Sequence, residues 1–311
     1  MTYRSLLIVC LATLGLAVAS WGQADGKIAF TSWREGAGDV WIMNTDGSAP
    51  VNLTQGRHAH CIRQSWSPDG TKIAYFAFSA DPDSAWADYS VADIWVMDAD
   101  GGNPQQVASL PETSIGETMS KELFWAEDGS NIYYYVQHPR YELFVVPLDG
   151  SDSSLMDWRE AAGIVRRSLD RSPDGTKRAD VVLQDDEGNA YLRLVVFAPG
   201  EGPYPSNQIE DFSEIPLPDL PYQQAELEPG YERIDLDPTW SPDSMRIAFT
   251  ANDEQGYRGV WVVNIDGSNL VNLTNGLDGA RPAWQPVSPS ATATSVEVQS
   301  WGRIKALFSV P

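Results

Sequence analysis

The segment Ser65-Trp66-Ser67-Pro68-Asp69-Gly70-Thr71-Lys72-Ile73-Ala74-Tyr75 returns later as Thr239-Trp240-Ser241-Pro242-Asp243-Ser244-Met245-Arg246-Ile247-Ala248-Phe249. Internal repetition constrains a fold strongly, because each copy must form the same local unit and the units must stack. Weaker copies are Phe124-Trp125-Ala126-Glu127-Asp128-Gly129-Ser130-Asn131-Ile132-Tyr133-Tyr134 and Arg171-Ser172-Pro173-Asp174-Gly175-Thr176-Lys177, where Arg171 takes the Trp position. Pro presets φ for a turn, Asp accepts from nearby backbone amides, and Gly tolerates positive φ. Each copy therefore predicts a hairpin between a short Trp strand and an apolar strand.

A second element follows each hairpin. Asp39-Val40-Trp41-Ile42-Met43-Asn44-Thr45-Asp46-Gly47 matches Asp93-Ile94-Trp95-Val96-Met97-Asp98-Ala99-Asp100-Gly101 and Gly259-Val260-Trp261-Val262-Val263-Asn264-Ile265-Asp266-Gly267. In Glu142 to Gly150 the aromatic is Phe144. The constant spacing from aromatic to turn Gly fixes which strand face packs. A short outer strand comes next, Val51-Asn52-Leu53-Thr54, identical to Val271-Asn272-Leu273-Thr274. One unit thus reads as four strands. Four-stranded units repeated about an axis make an all-β propeller.

The two ends complement each other. Asp25-Gly26-Lys27-Ile28-Ala29-Phe30 is the second half of the hairpin motif, and Arg281-Pro282-Ala283-Trp284-Gln285-Pro286 is the missing Trp strand. A C-terminal strand is expected to join the N-terminal blade and remove the open edge. This gives five blades: 281–286 with 25–56, then 63–109, 122–157, 166–215 and 236–275. Six is the alternative, if 199–238 hides a divergent unit. The fourth unit is the most degenerate, with Leu194 for the aromatic and Ala198-Pro199-Gly200 for the Asp-Gly turn.

The ordered recurrence of Trp-Ser-Pro-Asp-Gly and Ile-Trp-Val-Met-Asp-x-Asp-Gly resembles the TolB-like, WD-like propeller repeat over 25–286. The resemblance implies an envelope-associated or extracellular propeller used as a protein-binding platform. It makes Trp66, Pro68, Asp69, Gly70, Trp125, Asp128, Gly129, Pro173, Asp174, Gly175, Trp240, Pro242, Asp243 and Trp284 the structural positions of the repeat. The family's additional α/β domain ahead of the propeller is not seen here, where the repeat follows the leader. Nor is the hydrolase domain that accompanies prolyl oligopeptidase-like propellers.

Residues 1–24 read as a signal peptide: Arg4, then an uncharged apolar run from Leu6 to Ala19, then small-x-small sites at Ala17-Val18-Ala19 and Gly22-Gln23-Ala24. An uncleaved anchor is the competing reading. Beyond the leader no stretch reaches membrane length, so no span is expected in the mature chain. Cys10 lies in the leader, which leaves Cys61 without a disulfide partner. The net charge of −22 argues against nucleic acid, and it suits a cationic partner or simply a solvated surface.

Candidate sites are few. Arg57-His58-Ala59-His60-Cys61 falls between blades one and two, at the expected channel entrance. His58, His60 and Cys61 are the candidate binding residues there. Imidazole and thiolate suit zinc or copper, but the spacing is not a standard one and no fourth ligand is evident. The Asp-rich turns at 44–47, 98–101 and 264–267 lack the terminal Glu of a calcium loop and read as hairpin turns. Asn52-Leu53-Thr54 and Asn272-Leu273-Thr274 fit the glycosylation sequon, although repeat chemistry explains them more simply. The segment 199–238 holds eight Pro, ten acidic residues and Arg233 as its one cation. It reads as a solvated loop, or as an acidic flap that recruits a cationic partner. After Pro286 comes Ser/Thr/Ala linker composition, then the basic aromatic tail Val296 to Phe308, a docking or sorting tag or a self-packed end.

There is no Gly-x-Ser-x-Gly elbow, and His and Cys are scarce. The expected function is a non-catalytic, monomeric binding propeller, periplasmic or extracellular and associated with the cell surface, without a cofactor. Its partner would be an envelope or extracellular protein or peptide. The alternative is a carbohydrate-active or other hydrolytic propeller using channel-mouth carboxylates. A subunit of a separately encoded enzyme is a third reading.

Overall fold

Strands rich in alternating apolar and aromatic residues, joined by Asp-Gly turns, build the chain into antiparallel sheets. The computed structural model describes residues 26–80, 87–110, 121–137, 141–156, 172–186, 189–197, 212–214, 237–253 and 255–287. Five sheets lie among them. The second is a simple meander of β4 (His60–Trp66), β5 (Lys72–Ala80), β6 (Ala87–Asp98) and β7 (Gln105–Ser109). The third repeats it with β8 (Lys121–Trp125), β9 (Asn131–Gln137), β10 (Tyr141–Pro147) and β11 (Ser154–Leu155). The fifth uses β15 (Thr239–Trp240), β16 (Arg246–Asn252), β17 (Arg258–Asn264) and β18 (Val271–Asn272).

The first sheet breaks chain order. Its strands β1 (Lys27–Ser32), β2 (Asp39–Asn44) and β3 (Val51–Asn52) are completed by β19 (Ala280–Trp284), in the order β19-β1-β2-β3. Ile28 pairs with Trp284 and Ala29 with Ala283, the split unit read from the sequence. Gln285 fastens the join: its amide donates to the Lys27 carbonyl at 2.8 Å, and its Oε1 accepts from the Lys27 amide at 3.0 Å.

The fourth sheet has three described strands, β12 (Arg178–Asp186), β13 (Asn189–Phe197) and β14 (Phe212–Glu214). Its Trp-strand position, at 166–171, lies outside the described residues. β14 pairs with β13, so the one described strand of the 199–238 segment belongs to the fourth unit as its outer strand. Among the described residues there is no sixth sheet. The leader and the tail also lie outside them.

Alternation within a strand decides which sheet each side chain meets. On β5, Ile73, Tyr75 and Ala77 face the first sheet, packing with Ala29, Val40, Ile42 and Leu53. Their neighbours Ala74, Phe76 and Phe78 face the third sheet, packing with Leu123, Trp125, Ile132 and Tyr134. β1 does the same: Ala29 joins the second sheet's cluster, while Ile28 and Phe30 meet Ala248, Val260 and Val262 of the fifth. Ala179 of the fourth sheet packs with Trp240, Ile247 and Phe249 of the fifth. The seams therefore run third, second, first, fifth, fourth. Each large side chain buried this way is worth about 1.5–3 kcal/mol, and both faces of a sheet contribute.

The repeat tryptophans latch these seams. Trp66 Nε1 donates to the Ala283 carbonyl at 3.0 Å, and Trp125 Nε1 to the Ser65 carbonyl at 3.1 Å. In both cases the acceptor is the residue just before the Trp of the preceding unit. The Ser-Pro-Asp-Gly turns behave as their chemistry predicts. Asp69 Oδ1 accepts from Ser67 Oγ at 2.6 Å and from the Thr71 amide at 3.0 Å, and Gly70 sits at φ 69°. Asp174 repeats the arrangement with Ser172 and Thr176. In the fifth unit Ser244 takes the glycine position at φ 60°.

Candidate functional site

Antiparallel strand order sorts the connections onto two faces. First-to-second and third-to-fourth strand links share one face, and second-to-third and unit-to-unit links share the other. On the first face the described links are uniform. In the third-to-fourth links an Asp-Gly turn folds back on itself: the Ser48, Gly102, Ser151 and Ser268 amides donate to Asp46, Asp100, Asp149 and Asp266, each at 2.9 Å. These bonds account for the aspartates that suggested calcium loops. They also hold the Asp46, Asp149 and Asp266 carboxyls below the usual range, through serine hydroxyl and amide donors.

The opposite, loop face is varied. Its described links are 33–38, 53–59, 273–279 and, without residue 254, 253–257. Link 53–59 carries the sequence-derived candidates into the second sheet. His58 packs at 4.7 Å, ring centre to ring centre, from Trp95 and 6.1 Å from Tyr75. Burial, then the neighbouring Arg57 charge, pushes its pKa down. His60 opens β4, the innermost strand of its sheet, and its Nδ1 accepts from the Gly38 amide at 3.0 Å. Burial lowers its pKa too. Cys61 is fully buried among Ala29, Val40 and Tyr75, and burial pushes its thiol up to about 12.

His60 and Cys61 are neighbours on a strand and serve different surroundings: His60 bonds to the link at Gly38, while Cys61 fills the core. The thiol has no route to a thiolate near neutral pH. Among the described residues, no group of three or more His, Cys, Asp or Glu side chains is placed to hold a metal ion.

What holds this link is a clamp that the sequence only hinted at. Buried Asp39 accepts from Thr54 Oγ1 at 2.5 Å, from Asn52 Nδ2 at 2.9 Å and from the Gly56 amide at 3.0 Å. Thr54 Oγ1 also accepts from the Val40 amide, and Asn52 Oδ1 accepts from the Thr54 and Gln55 amides. The second Asn-Leu-Thr copy makes the same bonds from the Thr274, Asn275 and Val260 amides. The repeated sequon is thus a structural device that pins each outer strand to its aromatic strand.

A second set went unnoticed in the sequence. The residue three positions before Trp66, Trp240 and Trp284 is charged, and each has left-handed backbone: Arg63 at φ 59°, Asp237 at φ 39° and Arg281 at φ 55°. The pairing register shifts between Ile62 and Ser65 and, opposite β19, between Ala29 and Thr31. A bulge of this kind re-aims a side chain. Arg63 Nη1 lies 3.1 Å from Asp237 Oδ1, and Arg281 Nε 3.7 Å from Asp237 Oδ2. The second and fifth sheets are separated by the first, so the Arg63–Asp237 pair crosses the centre where innermost strands meet. The signal was a charged residue at one fixed distance from the repeat Trp.

Five antiparallel sheets with this seam order and two unlike faces define a β-propeller protein. No family model matches the chain. A 99-residue stretch is 29% identical to the Tol-Pal system protein TolB of Anaeromyxobacter dehalogenans strain 2CP-1, covering 32% of this chain and 20% of that protein. The TolB of Anaeromyxobacter sp. strain K matches to the same extent. The matched region thus spans about a fifth of the length of these curated relatives. The crystal structure of TolB from Acinetobacter baumannii superposes with a TM-score of 0.51 at 16% identity, covering 84% of this chain and 67% of that one. The chain is a β-propeller, and part of its repeat region is similar in sequence to TolB.

Proposed function

We propose that the protein is exported to the periplasm or beyond and acts there as a non-catalytic binding propeller, holding a protein or peptide partner on its loop face. One observation carries this reading: the asymmetry of the two faces. The described turn-face links close on themselves through the same Asp bonds. Two loop-face links share the Asn-Leu-Thr clamp, but beyond it the described links differ in sequence and present Trp, Tyr, Arg and His side chains on a rigid scaffold, as binding sites do. The apolar leader of the sequence supports export, and the repeat-level similarity to TolB supports a place in the envelope.

The hydrolytic alternative needs two carboxylates facing one substrate. Asp237, at the centre, is instead paired with Arg63 and Arg281. The test is capture of partners from the source envelope by the purified protein, then reconstitution of each pair from pure components. A one-to-one complex lost on altering loop-face residues supports the proposal. Hydrolysis in a glycan and peptide screen, with no partner captured, overturns it.

A further inference from the structure

Three links meet on the loop face at the seam between the first and fifth sheets: 33–38, 253–257 and 273–279. Asp278 ties them together. Its Oδ2 accepts from the Trp33 amide at 3.0 Å, its carbonyl accepts from Ser32 Oγ at 2.5 Å, and its Oδ1 lies 3.4 Å from Arg258 Nη2. Asp253 fixes the middle link, accepting from the Gln255 amide at 3.0 Å and the Tyr257 amide at 2.9 Å. The surface on this frame is therefore pre-ordered, which lowers the entropy lost on binding.

Its composition is that of an interface centre. The Arg258 guanidinium lies 4.4 Å over the Trp33 ring. Tyr257, one residue before Arg258, is 60% exposed, and Leu277, one residue before Asp278, is 51% exposed. Both Arg258 contacts to Asp278, from Nε and Nη2, go to one oxygen at 3.4 Å, the long limit of a hydrogen bond. A guanidinium has five N–H donors in a fixed fork that fits a carboxylate. Glu35, on the same link as Trp33, accepts from Asn52 Nδ2 at 2.8 Å. In a chain of net charge −22, this seam holds an oriented cation stacked on an indole, with exposed apolar residues next to it in the chain.

We propose that Trp33, Tyr257, Arg258 and Leu277 dock an extended acidic segment of a partner protein, its carboxylate on Arg258 and an adjacent apolar side chain against Tyr257 and Leu277. This rests on the binding-platform reading and gives it a partner chemistry opposite to the one the net charge suggests.

The experiment screens the full chain against an array of synthetic octapeptides, then titrates the best binders by fluorescence anisotropy. Retained peptides should carry Asp or Glu beside Leu, Ile or Phe. Replacing that carboxylate by its amide should weaken binding at least tenfold, and so should Arg258→Gln. The two changes combined should cost no more than either alone. Trp33→Leu should weaken binding as well, and Lys72→Gln on the turn face should leave it unchanged. Thermal melts confirm that each variant folds. Retention of basic or neutral peptides, an unaltered affinity in Arg258→Gln, or no peptide retained at all overturns the proposal. A partner captured whole that binds Arg258→Gln at full strength would overturn this docking site while leaving the platform reading standing.

Discussion

Trp66 and Trp41 are buried to nearly the same degree, at 5% and 7% exposed, yet substitution by Phe should separate them. Trp66 Nε1 donates to the Ala283 carbonyl at 3.0 Å, across the seam between first and second sheets. Trp66→Phe removes that bond, worth about 1 kcal/mol net. It also removes about 40 Å² of buried apolar surface, worth about 1 kcal/mol at roughly 25 cal/mol per Å². The expected loss is about 2 kcal/mol. Trp41 loses the same surface, but its indole nitrogen is buried with no hydrogen-bond partner among the described residues. Trp41→Phe therefore removes an unmet donor whose burial costs about 1–3 kcal/mol, offsetting the lost surface. It should be neutral or slightly stabilising. Urea unfolding followed by far-ultraviolet circular dichroism measures both. Equal losses would refute the argument, since they would show that the seam bond contributes nothing beyond ring volume.

Asp39→Ala should cost about 3 kcal/mol in the same assay, because it strands the donors of Thr54, Asn52 and Gly56 in a buried site. Cys61, with its thiol pushed to about 12, should resist Ellman's reagent in the native protein and react once urea unfolds the chain. Prompt native labelling would contradict its place in the core. Asp174 is held down to about 2, first by the Ser172 hydroxyl and then by the Thr176 amide. A carboxyl depressed on folding stabilises above its unfolded value near 4. That contribution is lost as pH falls through the folded value, so the melting temperature should drop between about pH 4 and 2, and less so in Asp174→Asn. His58 and His60, both depressed by burial, work in the same direction at higher pH. Stability should already begin to fall as pH drops below about 6.5, where the unfolded imidazoles take up protons.

Strands, turns and the split first unit were legible because they rest on local chemistry. Ser-Pro-Asp-Gly closes a hairpin wherever it occurs, and period-two alternation places Ile73 and Ala74 on opposite faces without help from the rest of the chain. The candidate site was less legible. Adjacent His60 and Cys61 look like a ligand pair in one dimension, but one bonds to a link and the other fills the core. The Trp33–Arg258 stack joins residues from the two ends of the chain, with no shared motif to connect them. The Arg63–Asp237–Arg281 set had a readable signal, a charge at a constant offset from the repeat Trp. Its left-handed backbone, which brings the three together, carries no glycine to announce it.

Closing the first sheet with β19 also sets the order in which the molecule can be completed. Ile28 meets Trp284 only after almost all the intervening chain exists. Until then β1 has a bare edge, and the Trp66 latch lacks its acceptor, because Ala283 lies on the same late strand. Contacts so distant in sequence form slowly. During synthesis the nascent chain therefore holds finished hairpins without a finished first seam, and the final strand acts as a timer. Under the export proposed above, such a delay keeps the first sheet open until the last strand has emerged.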